Sequence, residues 1–312
     1  MNSISIITVV YNDEANIEAT IKNVLSQTIV SDIEFIIIDG GSTDETVNII
    51  NKYKQDIDTV ISEPDNGIYD AMNKGIKLAN NDWICFLNSG DIFYNESVLQ
   101  NIANKINEQD DVIFGITDMH SINGDFLYTN IPSDNPNMLQ TMPFCHQSSL
   151  VRREILLKHT FDTFYNIVAD YNCFLKIYSE GYKFRFIDMK ISCFALGGMS
   201  SVKLIATNIE AMYVIFSNSN IANVKKSSFY NSLLSGCINS NGDAKNLLNT
   251  MSNFQEEYAK FMQKSALLQN LETKTNELNN HIQEFYTNKI FKIARSILYP
   301  INKIKLLLKL KS

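Results

Sequence analysis

Within the first ninety residues, β-branched and aromatic runs alternate with amphipathic segments, and this alternation narrows the possible folds more than any other feature of the chain. ISIITVV (4–10) precedes NDEANIEATIKNVLSQ (12–27), and IEFIIIDGG (33–41) precedes STDETVNIINKY (42–53). DTVISE (58–63) precedes IYDAMNKGIKLA (68–79), and DWICFLN (82–88) stands fourth. The first of each pair reads as a strand buried on both faces and the second as a helix with one apolar stripe. Asn12 is placed to cap the first helix, and Ser42 with Glu45 to form a capping box on the second. Three βα units feeding a fourth strand imply an α/β domain around a mostly parallel central sheet flanked by helices.

Beyond residue 91 the pattern becomes mixed. A helix carrying Val98, Leu99, Ile102 and Ile106 leads to the run DVIFGITDMH (111–120), and Asn123-Gly124 then marks a tight hairpin. A short helix near Arg152 to Lys158, a longer one over about 168–178, and strands near 184–187 and 191–194 complete a domain expected over residues 1–200. Residues 201–286 read as a helical extension, and positions 268–285 carry a short a/d pattern that fits a packed helix better than a coiled coil. The last segment, 287–312, holds seven Lys or Arg and no acid. Its apolar face of Ile290, Ile293, Ala294, Ile297 and Leu298 resembles a helix lying on an anionic bilayer surface. An exposed face packed on the domain is the plainer reading.

Charge and cysteine usage exclude some function classes. The 34 acidic and 27 basic residues give −7, and without the tail the balance is 20 against 34, or −14, which disfavours nucleic acid as a partner. Five cysteines, at 85, 145, 173, 193 and 237, form no CxxC pair and suit a reducing compartment. MNSISIITVV lacks the layout of a signal peptide, and no apolar run reaches transmembrane length. The expectation is a cytoplasmic protein, held peripherally on the inner face of the cell membrane if the tail binds lipid.

Neither G-x-G-x-x-G nor G-x-x-x-x-G-K-[ST] occurs, so a bound nucleotide would need its phosphates neutralised by another device. The strand ends offer Thr8, Tyr11 and Asn12, then Asp39, then Asp91, all directed to one edge of the sheet, where open α/β sheets bind ligands. Carboxylates repel phosphate unless a divalent cation intervenes, and Mg²⁺ or Mn²⁺ uses one or two protein carboxylates together with phosphate oxygens.

Six segments now carry a resemblance over about residues 3–200: SIITVVYNDEANIEATIKNVLSQ, EFIIIDGGSTDET, EPDNGIYDAMNKGI, FLNSGD, FCHQSSLVRREI and VADYNCFLKI. Their order and spacing resemble family 2 glycosyltransferases, particularly the bacterial branch that builds O-antigen, colanic acid and capsule repeats. The resemblance implies a GT-A fold, a nucleotide-sugar donor and inverting transfer to an acceptor hydroxyl. A lipid-linked acceptor built on polyprenyl diphosphate would suit a membrane-associated enzyme.

By that resemblance, Thr8, Tyr11, Asn12 and Asp39 bound the nucleoside, with Asp39 accepting from the base, most simply uracil. Asp65, Tyr69 and Asn73 would wall the ribose. Asn88 and Asp91 fall at the DxD-type motif, which makes Asp91 the expected metal ligand, while Asn88 and Gly90 stand where acids are common. Asp170 matches the general base, with Ala169 in place of a preceding acid. His146 would touch donor phosphate or acceptor, or serve as a structural histidine, and Lys74 would face phosphate or solvent. GGMSS (197–201) could bind an anion or only bend the chain. Plainer readings remain beside these: Asp39 as a turn residue, and Asp91 and Asp170 as helix-terminal charges. A catalytically silent nucleotide-binding or scaffolding protein of the same fold is the alternative function.

Overall fold

In the computed structural model, the described residues are 3–28, 33–121, 123–134, 137–197, 204–219 and 221–232. The chain divides into two compact units, Met1–Phe229 and Tyr230–Ser312, and of the second only residues 230–232 are described. The a/d pattern, the basic tail and most of GGMSS therefore lie outside the described residues.

The first half alternates as the sequence pattern requires. β1 (Ile4–Val10), α1 (Ile17–Leu25), β2 (Ile33–Asp39), α2 (Thr46–Lys52), β3 (Thr59–Ser62), α3 (Ile68–Leu78) and β4 (Trp83–Phe86) follow one another. β1 pairs in parallel with β2 and β4, and β2 with β3. Every residue of β1 and β4 is buried, which explains why these runs show no polar alternation. Gly75 brings α3 against β1, since a Cβ there would lie 2.5 Å from Ile7 Cγ2.

The second half adds β5 (Ile92–Phe93), α4 (Val98–Ala103), β6 (Val112–His120) and β7 (Phe126–Asn130). A 3₁₀ turn (His146–Ser148), β8 (Ser149–Arg152), α5 (Arg153–Lys158), α6 (Ala169–Ser179) and β9 (Phe184–Ala195) follow. The sheet runs β3-β2-β1-β4-β8-β6-β9-β5, with β7 on β6. It is parallel through β4 and turns antiparallel where β8 joins, while β6 and β9 are parallel to each other. The hairpin at Gly124, where φ is 86°, forms as expected. The strands expected at 184–187 and 191–194 are one strand, whose register slips against β6 near Gly115 and so accommodates Asp188 and Lys190 without ending.

Two helix starts differ from expectation. α1 begins after Asn16 and α2 after Glu45, and neither residue makes a side-chain cap bond. Asn12 instead sits at φ 48° and accepts the Thr43 N–H on its Oδ1 at 2.8 Å. Ser42 is drawn away from a cap by Asp39. Both polar side chains serve loop-to-loop contacts, which compete with capping. The helices α7 (Leu204–Asn218) and α8 (Ile221–Lys226) belong to the first unit, so this unit extends past the boundary expected at residue 200. Glu210 on α7 accepts the Ile167 N–H at 3.0 Å, just before α6. No described helix is long and apolar enough to cross a membrane.

Candidate functional site

The sheet reverses its direction of growth at β1: β2 lies on one side and β4 on the other. Ligands of open α/β sheets bind at such a switch point, beyond the carboxyl ends of the strands. The loops that follow β1, β2 and β4 meet there and are joined by backbone-to-side-chain bonds. Asn12 N–H donates to Ser42 Oγ at 2.8 Å, Glu14 N–H to Asp44 Oδ2 at 3.2 Å, and Glu45 N–H to Glu14 Oε2 at 2.9 Å. Ser89 Oγ donates to Asp13 Oδ2 at 2.6 Å, bringing the loop after β4 into the same frame.

Asp39 sits beneath this frame with no exposed surface. Its Oδ2 accepts Ser62 Oγ at 2.6 Å, Gly41 N–H at 3.2 Å and Ser42 N–H at 3.1 Å, and its Oδ1 accepts the Ser42 hydroxyl. The carboxylate is satisfied by its own chain here and organises the loop over it. Thr8 is fully buried and donates to Leu87 O at 2.7 Å. Asn73 closes two bonds with the Phe161 backbone, at 2.8 and 2.9 Å. Lys74 is paired with Glu63 at 2.8 Å and braces the 63–64 turn.

Tyr11, just after β1, presents an exposed aromatic side chain, 62% accessible. Asp65 is half-buried, accepts Gly67 N–H at 2.8 Å, and lies against Gly40, where a Cβ would come within 2.5 Å of its Oδ2.

Asp91 follows Gly90, whose φ of 91° turns the chain back beneath the loop. Thr20 Oγ1 holds this turn, donating to Asp91 O at 2.9 Å and accepting Gly90 N–H at 3.1 Å. The Asp91 side chain is only 4% exposed, with Gln147 Nε2 on Oδ2 at 3.0 Å and Ala195 N–H on Oδ1 at 3.3 Å. Burial pushes its carboxyl up to about 7. Gln147 was not singled out from the sequence, although it follows His146 directly in the FCHQSS segment.

His146, Asp170, Tyr69 and Asn88 come together although they arise from four separate segments. His146 Nδ1 lies 3.0 Å from Asp170 Oδ2, and the ring's Nε2 lies 3.3 Å from Asn88 Nδ2. The Tyr69 hydroxyl lies 2.6 Å from Ile167 O and 3.2 Å from Asp170 Oδ1. Burial holds this phenol well above its ordinary range, so it is a neutral donor. Tyr171 N–H donates to Asp170 Oδ1 at 2.9 Å. His146 and Asp170 keep 15% and 19% of their side chains exposed, enough for access from the cleft. Tyr69 thus donates to the backbone just before α6 and lies beside Asp170.

Among the described residues, no three His, Cys, Asp or Glu side chains are grouped to hold a metal ion. The oxygens present nevertheless fit a hard divalent cation that shares its coordination with a ligand. Among the described residues, Asp91 is a buried carboxylate without a cationic hydrogen-bond partner, and Asn88 Oδ1 is buried without a partner. Such a donor set is all oxygen and leaves most positions to phosphate and water.

Comparison with known proteins agrees with this geometry. Residues 5–166 match the family described as Glycosyl transferase family 2. A PGL/p-HBAD biosynthesis glycosyltransferase of Mycobacterium tuberculosis is 31% identical over 186 residues, covering 56% of this chain and 70% of the relative. The Escherichia coli UDP-Glc:alpha-D-GlcNAc-diphosphoundecaprenol beta-1,3-glucosyltransferase WfaP is 33% identical over 193 residues, covering 59% of this chain and 74% of the relative. The crystal structure of S. aureus TarS 1-349 in complex with UDP shares the fold at TM-score 0.58 and 20% identity, over 75% of this chain and 72% of that one. The mannosyltransferase PcManGT of Pyrobaculum calidifontis, in complex with GDP-Man and Mn²⁺, does so at TM-score 0.55 and 14% identity, over 84% of both chains.

Proposed function

This chain belongs to glycosyl transferase family 2 and is a glycosyltransferase of the GT-A fold, and we propose that it transfers a sugar with inversion from a UDP-sugar to a hydroxyl of a polyprenyl-diphosphate-linked glycan. The observation that carries this reading is the chain of contacts Tyr69–Asp170–His146–Asn88, which ends in the same loop as Asp91 at the switch point of the sheet. It places a carboxylate partly open to the cleft beside the loop where a donor diphosphate would lie. The relative WfaP, named for a UDP-Glc donor and a diphosphoundecaprenol acceptor, supports both substrate classes.

In this mechanism the uracil stacks on Tyr11 above the loop that Asp39 organises. Asp65 is retained as a ribose contact at the edge of that loop. Mg²⁺ or Mn²⁺, held by Asp91 and the Asn88 carboxamide oxygen together with the donor, would neutralise charge on the departing diphosphate. Asp170 takes the proton of the acceptor hydroxyl as its oxygen bonds to the anomeric carbon. The bond from that carbon to the diphosphate breaks, and its electron pair leaves with UDP. Attack opposite the leaving group inverts the centre. The tail at 287–312 would keep the enzyme at the anionic inner face of the cell membrane, where such acceptors are assembled.

The test is a panel of nucleotide sugars offered to the full-length protein, with release of nucleoside diphosphate as the readout. UDP release from a UDP-sugar, stimulated by a lipid-linked glycan acceptor, is expected. Release only from GDP- or dTDP-sugars would overturn the donor assignment, and no release from any donor would favour the silent reading.

A further inference from the structure

We propose that His146 is a positioning residue for the transfer step, fixing the orientation of Asp170, the group that receives the acceptor's proton. The inference rests on the reading of Asp170 as the base and concerns how that base is held. A carboxylate offers about four lone-pair positions. Oδ1 accepts the Tyr171 N–H at 2.9 Å and Oδ2 faces His146 Nδ1 at 3.0 Å, while the single hydrogen of the Tyr69 hydroxyl goes to Ile167 O at 2.6 Å. Positions stay open on both oxygens, and His146 is the side chain that fixes which way they face.

The tautomer follows from the same contacts. A ring whose Nδ1–H donates to a carboxylate and whose Nε2 meets an amide N–H carries its lone pair on Nε2. That lone pair faces Asn88 Nδ2 at 3.3 Å and accepts one of its hydrogens. Asn88 is thereby turned with its Oδ1 away from the ring, which accounts for a buried amide oxygen that has no partner among the described residues. One imidazole thus fixes two groups from opposite sides of the cleft: the base on α6 and the amide in the loop after β4.

Two substitutions separate the functions of the two ring nitrogens. In His146→Asn the amide nitrogen falls near the position of Nδ1 and can still donate to Asp170. In His146→Gln the amide reaches the position of Nε2 and the Asp170 contact is lost. UDP release from UDP-glucose with a lipid-linked glycan acceptor would be measured on the full-length protein, with UDP affinity by calorimetry. His146→Asn should stay within about tenfold of wild type and His146→Gln should fall roughly 10- to 100-fold, the scale of one lost charge-assisted hydrogen bond. UDP affinity measured in EDTA, with no cation for Asn88 to hold, should be unchanged in both.

Greater activity in His146→Gln than in His146→Asn would place the role at Nε2 and overturn the proposal. So would weaker UDP binding in either variant, or an equal loss of rate in both. Nitrogen-15 spectra of histidine-labelled wild type at neutral pH give a readout that needs no substrate. The resonances missing from His146→Asn identify the ring, which should carry its proton on Nδ1. A proton on Nε2 would sink the proposal even if the donor proves to be another sugar nucleotide. An enzyme inactive with every UDP-sugar would refute the donor assignment alone.

Discussion

Gln147 Nε2 donates to Asp91 Oδ2 across 3.0 Å and ties the 3₁₀ turn before β8 to the loop after β4. The adjacent His146 reaches Asp170 from the same turn. Two consecutive side chains thus connect the carboxylate proposed for the donor end of the reaction with the one proposed for the acceptor end. Gln147 is neutral, so it orients Asp91 without neutralising its charge, and the buried carboxyl is left at about 7.

The first prediction follows from the sign of that shift. The folded state holds the Asp91 proton up to about 7, whereas an unfolded carboxyl releases it near 4. Folding therefore binds a proton in this window, and the contribution of Asp91 to stability is lost as pH rises from about 4 to about 7. Melting temperatures of wild type and Asp91→Asn, both in EDTA, should show wild type losing ground to the variant across that range. Above it the difference should be constant. A difference independent of pH would mean that the carboxyl is not raised. Adding Mn²⁺ and UDP together above pH 7 should restore wild type but not the variant, which tests the cation assignment separately.

Asp39 should behave as a loop organiser. Asp39→Ala leaves Ser62, Ser42 and the Gly41 N–H without their common acceptor inside a buried site. The expected cost is about 1 to 3 kcal/mol for a buried group left unpaired, read from denaturant unfolding, with UDP affinity falling alongside. Weakened UDP binding at full stability would instead return Asp39 to direct contact with the base.

How much of this was legible in the sequence depended on the range of each interaction. β1, β2 and β4 could be read because strands buried on both faces become nearly continuous apolar runs, as ISIITVV and IEFIIID show. β8, with only Leu150 and Val151 apolar between Ser149 and Arg152, and β5, with two residues in all, do not stand out as runs. Asp170 could be named from its local motif. Its partners could not, because Tyr69 stands 101 residues away and is brought to it only when α3 and α6 pack on the same sheet. The same holds for Asp39: the carboxylate at a strand end was visible, but the Ser62 hydroxyl that helps to saturate it comes from the neighbouring strand.

Removal of residues 287–312 tests the membrane reading. The seven Lys or Arg in this segment would each contribute about 1 kcal/mol near an anionic surface, a term that salt screens. The truncated protein should move from the membrane to the soluble fraction and keep its donor turnover. High salt should release part of the intact protein. Aggregation of the truncated protein would favour a segment that packs on another part of the chain.

The strictest prediction concerns Asp170→Asn. The substitution keeps shape but removes the site that accepts the acceptor's proton, so transfer should fall about 10² to 10⁴-fold. The new amide must also choose between two arrangements. If its oxygen accepts from His146 Nδ1–H, its NH₂ faces the Tyr171 N–H, now 2.9 Å from Oδ1, and that donor loses its partner. If the amide is turned over, the Tyr171 bond survives and two donors meet at His146 instead. Either arrangement costs about 1 kcal/mol of stability, far less than the loss in rate. UDP affinity should change little, because Tyr11 and the loop held by Asp39 lie apart from these contacts. A normal rate with a lowered melting temperature would remove Asp170 from catalysis and leave it as a charge in the first turn of α6. A normal melting temperature with a rate reduced only a few-fold would move the base elsewhere, and His146 would be the next group to test.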